Sequence, residues 1–305
     1  MADNVQNQGV QTTGHVWDGD LQELNNPLPT WWTYSFYATI VFALVYWLIY
    51  PSWPMGSSFL KGFSGITYTN VQGEEEQWHW NTRAKLLKES QEALAMQQPY
   101  YDRLMQTPYQ QISQDPELMS FVVSAGKVAF SDNCAGCHQA GGAGKVGFFP
   151  NLADDDWLYG GSFDAIQATI THGRRGYMPP YAEALSPVQV DELANYVLSL
   201  SGEPADGTKA ANGKALFHSH AAACFYCHGE NAKGRQDIGA ANLTDKVWLW
   251  ADVPGGQDGA AKLAAVKAVI NGGLNKGVMP AWEGRLSPEQ IKLLTVYVHE
   301  LGGGK

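Results

Sequence analysis

The sequence predicts an all-α protein: a single transmembrane helix near the N-terminus, then two tandem helical domains of one design. Three observations predict it. Trp31 to Tyr50 is a run of twenty residues without a charged side chain, about the length that crosses a ~30 Å hydrocarbon layer as a helix. The remainder repeats at a spacing of about 90 residues, with Cys-x-x-Cys-His at Cys134, Cys137, His138 and again at Cys224, Cys227, His228. Within the repeats the apolar residues recur at helical rather than strand spacing.

Residues 1–30 precede the apolar run. They carry four acidic side chains and no lysine or arginine, and no small-x-small cleavage pattern follows the run, so it reads as an anchor rather than a cleaved signal. The membrane helix spans 31–53. Trp31, Trp32 and Tyr34 mark one end and Trp47, Tyr50 and Trp53 the other, as interfacial aromatic belts do; Pro51 and Pro54 stop it. A linker, 54–115, follows. Its segment "EEEQWHWNTRAKLLKESQEALAMQQ" predicts an amphipathic helix through the later half, with Leu87 and Leu94 on one face.

The first domain is expected over 116–202 and the second over 207–301. Each opens with a helix ("PELMSFVVSAGKVAF", "GTKAANGKALF") and then the cysteine motif. Each continues through an Asn-Leu pair (Asn151, Asn242), a short helix, and a glycine-containing turn ending in Met-Pro ("RRGYMPP", "NKGVMPAW"). Each closes on a helix announced by Ser-Pro, an N-cap followed by proline at the first helical position. The second copy carries ten extra residues around "ADVPGGQDG", expected as a surface loop.

The motifs use all four cysteines of the chain. Cys-x-x-Cys alone is compatible with a redox dithiol or half a zinc site, but a histidine directly after the second cysteine reads as c-type haem attachment. The expectation is two covalently attached haem c groups, with Cys134, Cys137, Cys224 and Cys227 as thioether seats and His138 and His228 as proximal ligands. Met178 and Met279, in equivalent places in both copies, are the distal candidates, with His172 the rival in the first copy. A methionine thioether raises reduction potential and closes the iron to oxygen. Tyr177, Trp282, Arg174, Arg175 and Arg285 lie close enough in sequence to touch the haem edge or its propionates.

Formal net charge is -10, so no nucleic-acid partner is expected. Nor is any catalytic residue. The membrane run holds no histidine for a copper-containing oxygen site and no ionisable group to relay protons. To this point the residues read as a membrane-anchored dihaem electron carrier serving a dehydrogenase or a reductase, with a dihaem peroxidase the more distant alternative. Covalent haem attachment takes place outside the bacterial cytoplasm, which puts residues 1–30 inside and both haem domains in the periplasm. The sparse flanking charges would slightly favour the opposite.

"HVWDGDLQELNNPLPTWW", His15 to Trp32, narrows the reading. With Asp18, Glu23 to Pro29, Trp31 and Trp32 before a membrane helix and two Cys-x-x-Cys-His domains, the chain resembles the dihaem subunit of the cbb-type cytochrome c oxidases of bacteria. The resemblance covers essentially the whole chain. It implies a complex in the inner membrane with a catalytic haem b–copper subunit, a monohaem c subunit and often a small helical subunit. Electrons would enter from a periplasmic c-type cytochrome and leave through the monohaem subunit. A second membrane helix, present in some members of that family, has no counterpart here.

Overall fold

The computed structural model describes residues 11–70, 72–275 and 278–302. Residues 1–10 of the expected cytoplasmic segment, and Lys276 and Gly277 of the turn before Met279, lie outside the described residues. Helix dominates the chain, which divides into two compact units at Gln97/Gln98.

The N-terminal unit is built on α1, Thr30–Ile49, the one described helix long and apolar enough to cross a membrane. None of its residues is buried against protein, as expected of a helix solvated by lipid. Three hairpins flank it. β1 (Thr12–Trp17) pairs with β2 (Leu21–Leu24), turning at Asp18 and Gly19, both at positive φ; Asp-Gly is the strongest short-range hairpin signal in a sequence. β3 (Pro54–Met55) pairs with β4 (Ser58–Phe59), and β5 (Gly65–Thr69) with β6 (Glu75–His79). The linker 54–115 is thus not helical from its start. Its helix, α2, runs Thr82–Gln106, and Gln91 ties it to β5 by a side-chain bond each way with Thr69. Leu87 and Leu94 do share a face, and both are exposed.

The C-terminal unit contains α3 (Tyr109–Ile112), α4 (Pro116–Asn133), α5 (Ala135–His138), α6 (Phe163–His172), β7 (Arg174–Arg175) and α7 (Pro187–Leu200). It continues with α8 (Gly207–Phe217), α9 (Phe225–His228), α10 (Gly259–Gly272), β8 (Val278–Met279) and α11 (Pro288–Gly302). Caps define the helix starts where the sequence places them. Ser186 and Gln189 form a reciprocal capping box on α7, and Ser287 and Gln290 exchange the same two bonds on α11.

The two sequence repeats do not pack as self-contained domains. They exchange their last helices. One core joins Phe130, Ile166 and Ile170 of the first repeat to Ile291, Leu294 and Val298 of α11. Another joins Leu185, Val190, Leu193 and Val197 of the first repeat to Phe217, Val253, Val266 and Ile270 of the second. Glycines set both helix crossings. A Cβ on Gly126 of α4 would stand 2.8 Å from Cβ of Tyr297 on α11; one on Gly213 of α8 would stand 2.9 Å from Cβ of Tyr196 on α7. Ion pairs repeat the pattern, since Asp191 of α7 binds Lys209 of α8 and Lys267 of α10 at 2.8 Å each.

Lobe 1 therefore comprises 98–172 with 279–302, and lobe 2 is the continuous stretch between them. Chain passes from one to the other at a two-stranded ribbon, where Arg174 pairs with Met279 and Arg175 with Val278. The inserted "ADVPGGQDG" is not simply a surface loop: Ala251 and Val253 are buried in the lobe 2 core.

One loop in lobe 1 collects unfavourable charge. Asp156 is pushed up to about 6 by burial first, then by Asp245 and Asp154; burial raises those two as well. Between roughly pH 4 and 6 the folded state retains a proton on Asp156 that the unfolded chain has released, so this group's stabilisation is lost as pH rises through that window.

Two outcomes follow from these contacts. Leu294→Ala empties a fully buried site and should cost about 2–5 kcal/mol. Hydrogen exchange should then show protection lost from α4 and α6 of the first repeat while α8 and α10 keep theirs; loss in α8 and α10 would contradict the exchange of helices. Asp156→Asn should raise the melting temperature at pH 7 and leave it nearly unchanged at pH 4, and an equal rise at both would show that the buried charge is not the cause.

Candidate haem sites

Each Cys-x-x-Cys-His motif folds the same way. The first cysteine ends or caps a helix, and the next four residues make a single turn, α5 or α9. The histidine amide donates back to the first cysteine's carbonyl at 2.9 Å in both copies. That turn puts both thiols and the imidazole on one side.

The imidazoles are oriented identically. Nδ1 of His138 lies 3.1 Å from the Pro150 carbonyl and Nδ1 of His228 lies 2.8 Å from the Ala241 carbonyl. Nδ1 must carry the proton to make that bond, leaving Nε2 as a lone-pair donor; a backbone carbonyl on the far nitrogen is what fixes the tautomer and ring orientation of a metal-binding histidine. Burial lowers the pKa of both rings, so they stay neutral. The asparagine of each Asn-Leu pair holds backbone: Asn151 accepts from the Ala153 amide and Asn242 from the Thr244 amide, bracing the loops that carry those carbonyls.

The thiols speak against dithiol chemistry. Burial pushes Cys134 and Cys224 up to about 11, whereas a redox-active pair needs a depressed thiolate. Among the described residues no cluster of three or more His, Cys, Asp or Glu side chains is suited to a metal ion.

A cleft open to solvent adjoins the second motif. Cys224 and His228 lie in its wall, among Leu193, Val197, Phe217, Leu243, Val266 and Ile270. The methionine in that wall is Met178, from the other repeat. Met279, conversely, packs against the lobe 1 core of Phe130, Ile166, Ile170 and Leu294, as do Cys134, Ala135 and Leu152.

The residues fit a haem. The wall is largely apolar, with one imidazole, one thioether and the carboxyl groups of Asp156 and Asp245, and the imidazole and thioether are the donors that would hold the iron of a haem. Buried donors without a partner match its carboxylates: the indole Nε1 atoms of Trp157 and Trp248, at corresponding places in the two repeats, are both buried and unpaired.

Other expectations resolve differently. Trp282 packs against the same core as Met279, but Tyr177 is 69% exposed. Arg174 donates to the Thr169 hydroxyl and lies over the Tyr159 ring, and Arg175 donates to Asn275. Arg285 stands over the Trp282 ring. His172 is exposed, 3.7 Å from Glu283, on the surface rather than in a core. Sequence reasoning did not single out Trp157 and Trp248, although the matched spacing Asn-Leu-x-Asp-x-x-Trp in both repeats marks them.

Comparison with known proteins agrees with this architecture. Residues 9–57 match the family described as the N-terminal domain of cytochrome oxidase-cbb3, FixP. Residues 122–197 and 208–298 match the family described as cytochrome c oxidase, cbb3-type, subunit III. A cbb3-type cytochrome c oxidase subunit FixP of Azorhizobium caulinodans is 45% identical over 97% of this chain and 94% of its own length. A second FixP, from a Bradyrhizobium species, is 42% identical over 97% and 96%. The subunit CcoP of an Azospirillum species is 40% identical over the full length of both. With both haem-motif repeats and the N-terminal anchor matched, the chain belongs to the subunit III family of cbb3-type cytochrome c oxidases.

Proposed function

We propose that this chain carries two haem c groups whose axial ligands are exchanged between the repeats. Membership of the family makes it a non-catalytic electron-transfer subunit of a cbb3-type oxidase. A haem iron in each site supplies the one-electron carrier. Cys134 and Cys137 are the thioether seats of one group, with His138 proximal and Met279 distal; Cys224 and Cys227 seat the other, with His228 proximal and Met178 distal. The observation that carries the assignment is Met178 in one cavity wall with His228, while Met279 and Cys134 both pack against the core of Phe130, Ile166 and Leu294.

The protein's own work is to bind and orient. Pro150 and Ala241 hold the imidazole tautomers, the apolar walls exclude water, and the methionines fill the positions that oxygen or peroxide would otherwise take. Apolar enclosure and thioether ligation together favour the reduced state and a raised potential, suited to electrons bound for oxygen. The chain crosses the inner membrane once through α1, with residues 1–30 cytoplasmic and both haem sites periplasmic. It receives electrons from a periplasmic c-type cytochrome and hands them to a monohaem c subunit that serves the haem b–copper subunit.

The exchanged ligation is checked in a chain with Cys224→Ala and Cys227→Ala, which keeps only the seat at Cys134 and Cys137. Adding Met279→Ala should remove the thioether-to-iron absorption band and admit carbon monoxide to the reduced iron, while Met178→Ala should leave both unchanged. The opposite result would return each methionine to its own repeat. Protease added to spheroplasts should digest the haem-bearing unit; full protection would reverse the orientation.

A further inference from the structure

We propose that Gly173 and Gly273 are positioning residues for the distal methionines, Gly173 for Met279 and Gly273 for Met178. The inference rests on the reading of both methionines as iron ligands. Gly173 ends α6 and lies five residues before Met178 in sequence, so its assignment to the other methionine is not what chain order suggests.

Both glycines close their helix by donating to the fourth preceding carbonyl, Gly173 to Thr169 at 3.0 Å and Gly273 to Val269 at 2.9 Å. Both then take a backbone conformation that is essentially glycine's alone, φ 70°, ψ 179° for Gly173 and φ 61°, ψ -172° for Gly273. The reason is what lies against them. A Cβ on Gly173 would strike the Met279 carbonyl oxygen, with the Ala281 nitrogen at 2.7 Å and the Pro280 carbonyl carbon at 2.8 Å. On Gly273 it would stand 2.5 Å from the Met178 carbonyl oxygen and 2.6 Å from the Pro180 nitrogen.

Each glycine is therefore pressed onto the backbone of one Met-Pro step, and the next residue locks it. Arg174 pairs with Met279 in the ribbon and is itself held by Thr169 and Tyr159. Leu274 and Met178 exchange backbone bonds of 2.8 Å in both directions. A methionine side chain is long and flexible, so the path of its backbone decides whether sulfur reaches iron. An added methyl group cannot be absorbed by side-chain rotation, since the obstructing atoms are backbone. The Met-Pro step must move instead.

The test counts open irons by carbon monoxide binding to the reduced, full-length two-haem chain. Met279→Ala and Met178→Ala should each open one iron; if neither does, the ligand reading fails and this inference with it. Gly173→Ala alone should open one iron and lower one of the two midpoint potentials. Combined with Met279→Ala it should still open only one, and combined with Met178→Ala it should open two. Gly273→Ala should behave as the mirror image. Gly272→Ala, where nothing lies within 4 Å, and Gly176→Ala, whose nearest neighbour is the Tyr159 hydroxyl at 3.7 Å, should open none. The proposal is overturned if Gly173→Ala opens no iron, if it adds a second opening to Met279→Ala, or if neither glycine variant matures with two haems. The pairing of glycine with methionine is read out whichever iron each sulfur serves, so its failure is distinct from failure of the exchanged ligation.

Discussion

The crossing of α4 by α11 at Gly126 and Tyr297, matched by α8 and α7 at Gly213 and Tyr196, is the contact on which the rest of the C-terminal unit depends. A sequence repeat of about 90 residues, once its cysteine turn and loops are set aside, has little apolar surface to bury on its own. The close approach of two backbones over a glycine supplies the missing wall. Because the helix that provides it comes from the other repeat, neither haem site is complete within one repeat. Val197 and Leu193 of α7 line the cavity of His228, and Leu294 and Val298 of α11 complete the core around Cys134.

The loop Asn151–Gly161 shows how closely the lobes share space. Trp157 belongs to the core of Met279, while its neighbours Asp156 and Leu158 line the cavity of Met178. A three-residue segment thus separates the two sites, and the Gly147 amide donates across to the Leu249 carbonyl at 2.6 Å. Sites joined this tightly hold a fixed separation, which suits electron passage between them better than tethered domains would. Asp156 and Asp245 sit in the wall of the Met178 cavity, and their charges together with that of Asp154 are the least favourable electrostatic feature described.

Much of this was legible in the residues. The membrane helix followed from length and charge, the helix starts from Ser-Pro caps, and the single turn shared by both Cys-x-x-Cys-His motifs from their repeated spacing, because each is set by local chemistry. The partner of each repeat was not legible, since exchanging equivalent helices between homologous repeats leaves every local pattern unchanged. Leu193 and Leu294 satisfy the same periodicity whichever core receives them. The hairpins before α2 were missed for a different reason. β6 is exposed along nearly its whole length, and β5 alternates over only five residues with Ile66 and Tyr68 as its apolar positions, too short a run to mark a strand. Val253 escaped notice because one buried side chain within a glycine- and proline-containing insertion leaves no period to detect.

Nesting lobe 2 inside lobe 1 also imposes a schedule on biogenesis. A chain made N-terminus first presents Cys134 about 145 residues ahead of Met279, but Met178 46 residues ahead of Cys224. At roughly 5–20 residues per second, Cys134 is made roughly 7–30 seconds before Met279, whereas Cys224 is made after Met178. The interval leaves the His138 side uncovered and accessible to whatever attaches the porphyrin. Closure by α11 comes last, so arrival of the C-terminus doubles as a completion signal for the lobe that began first.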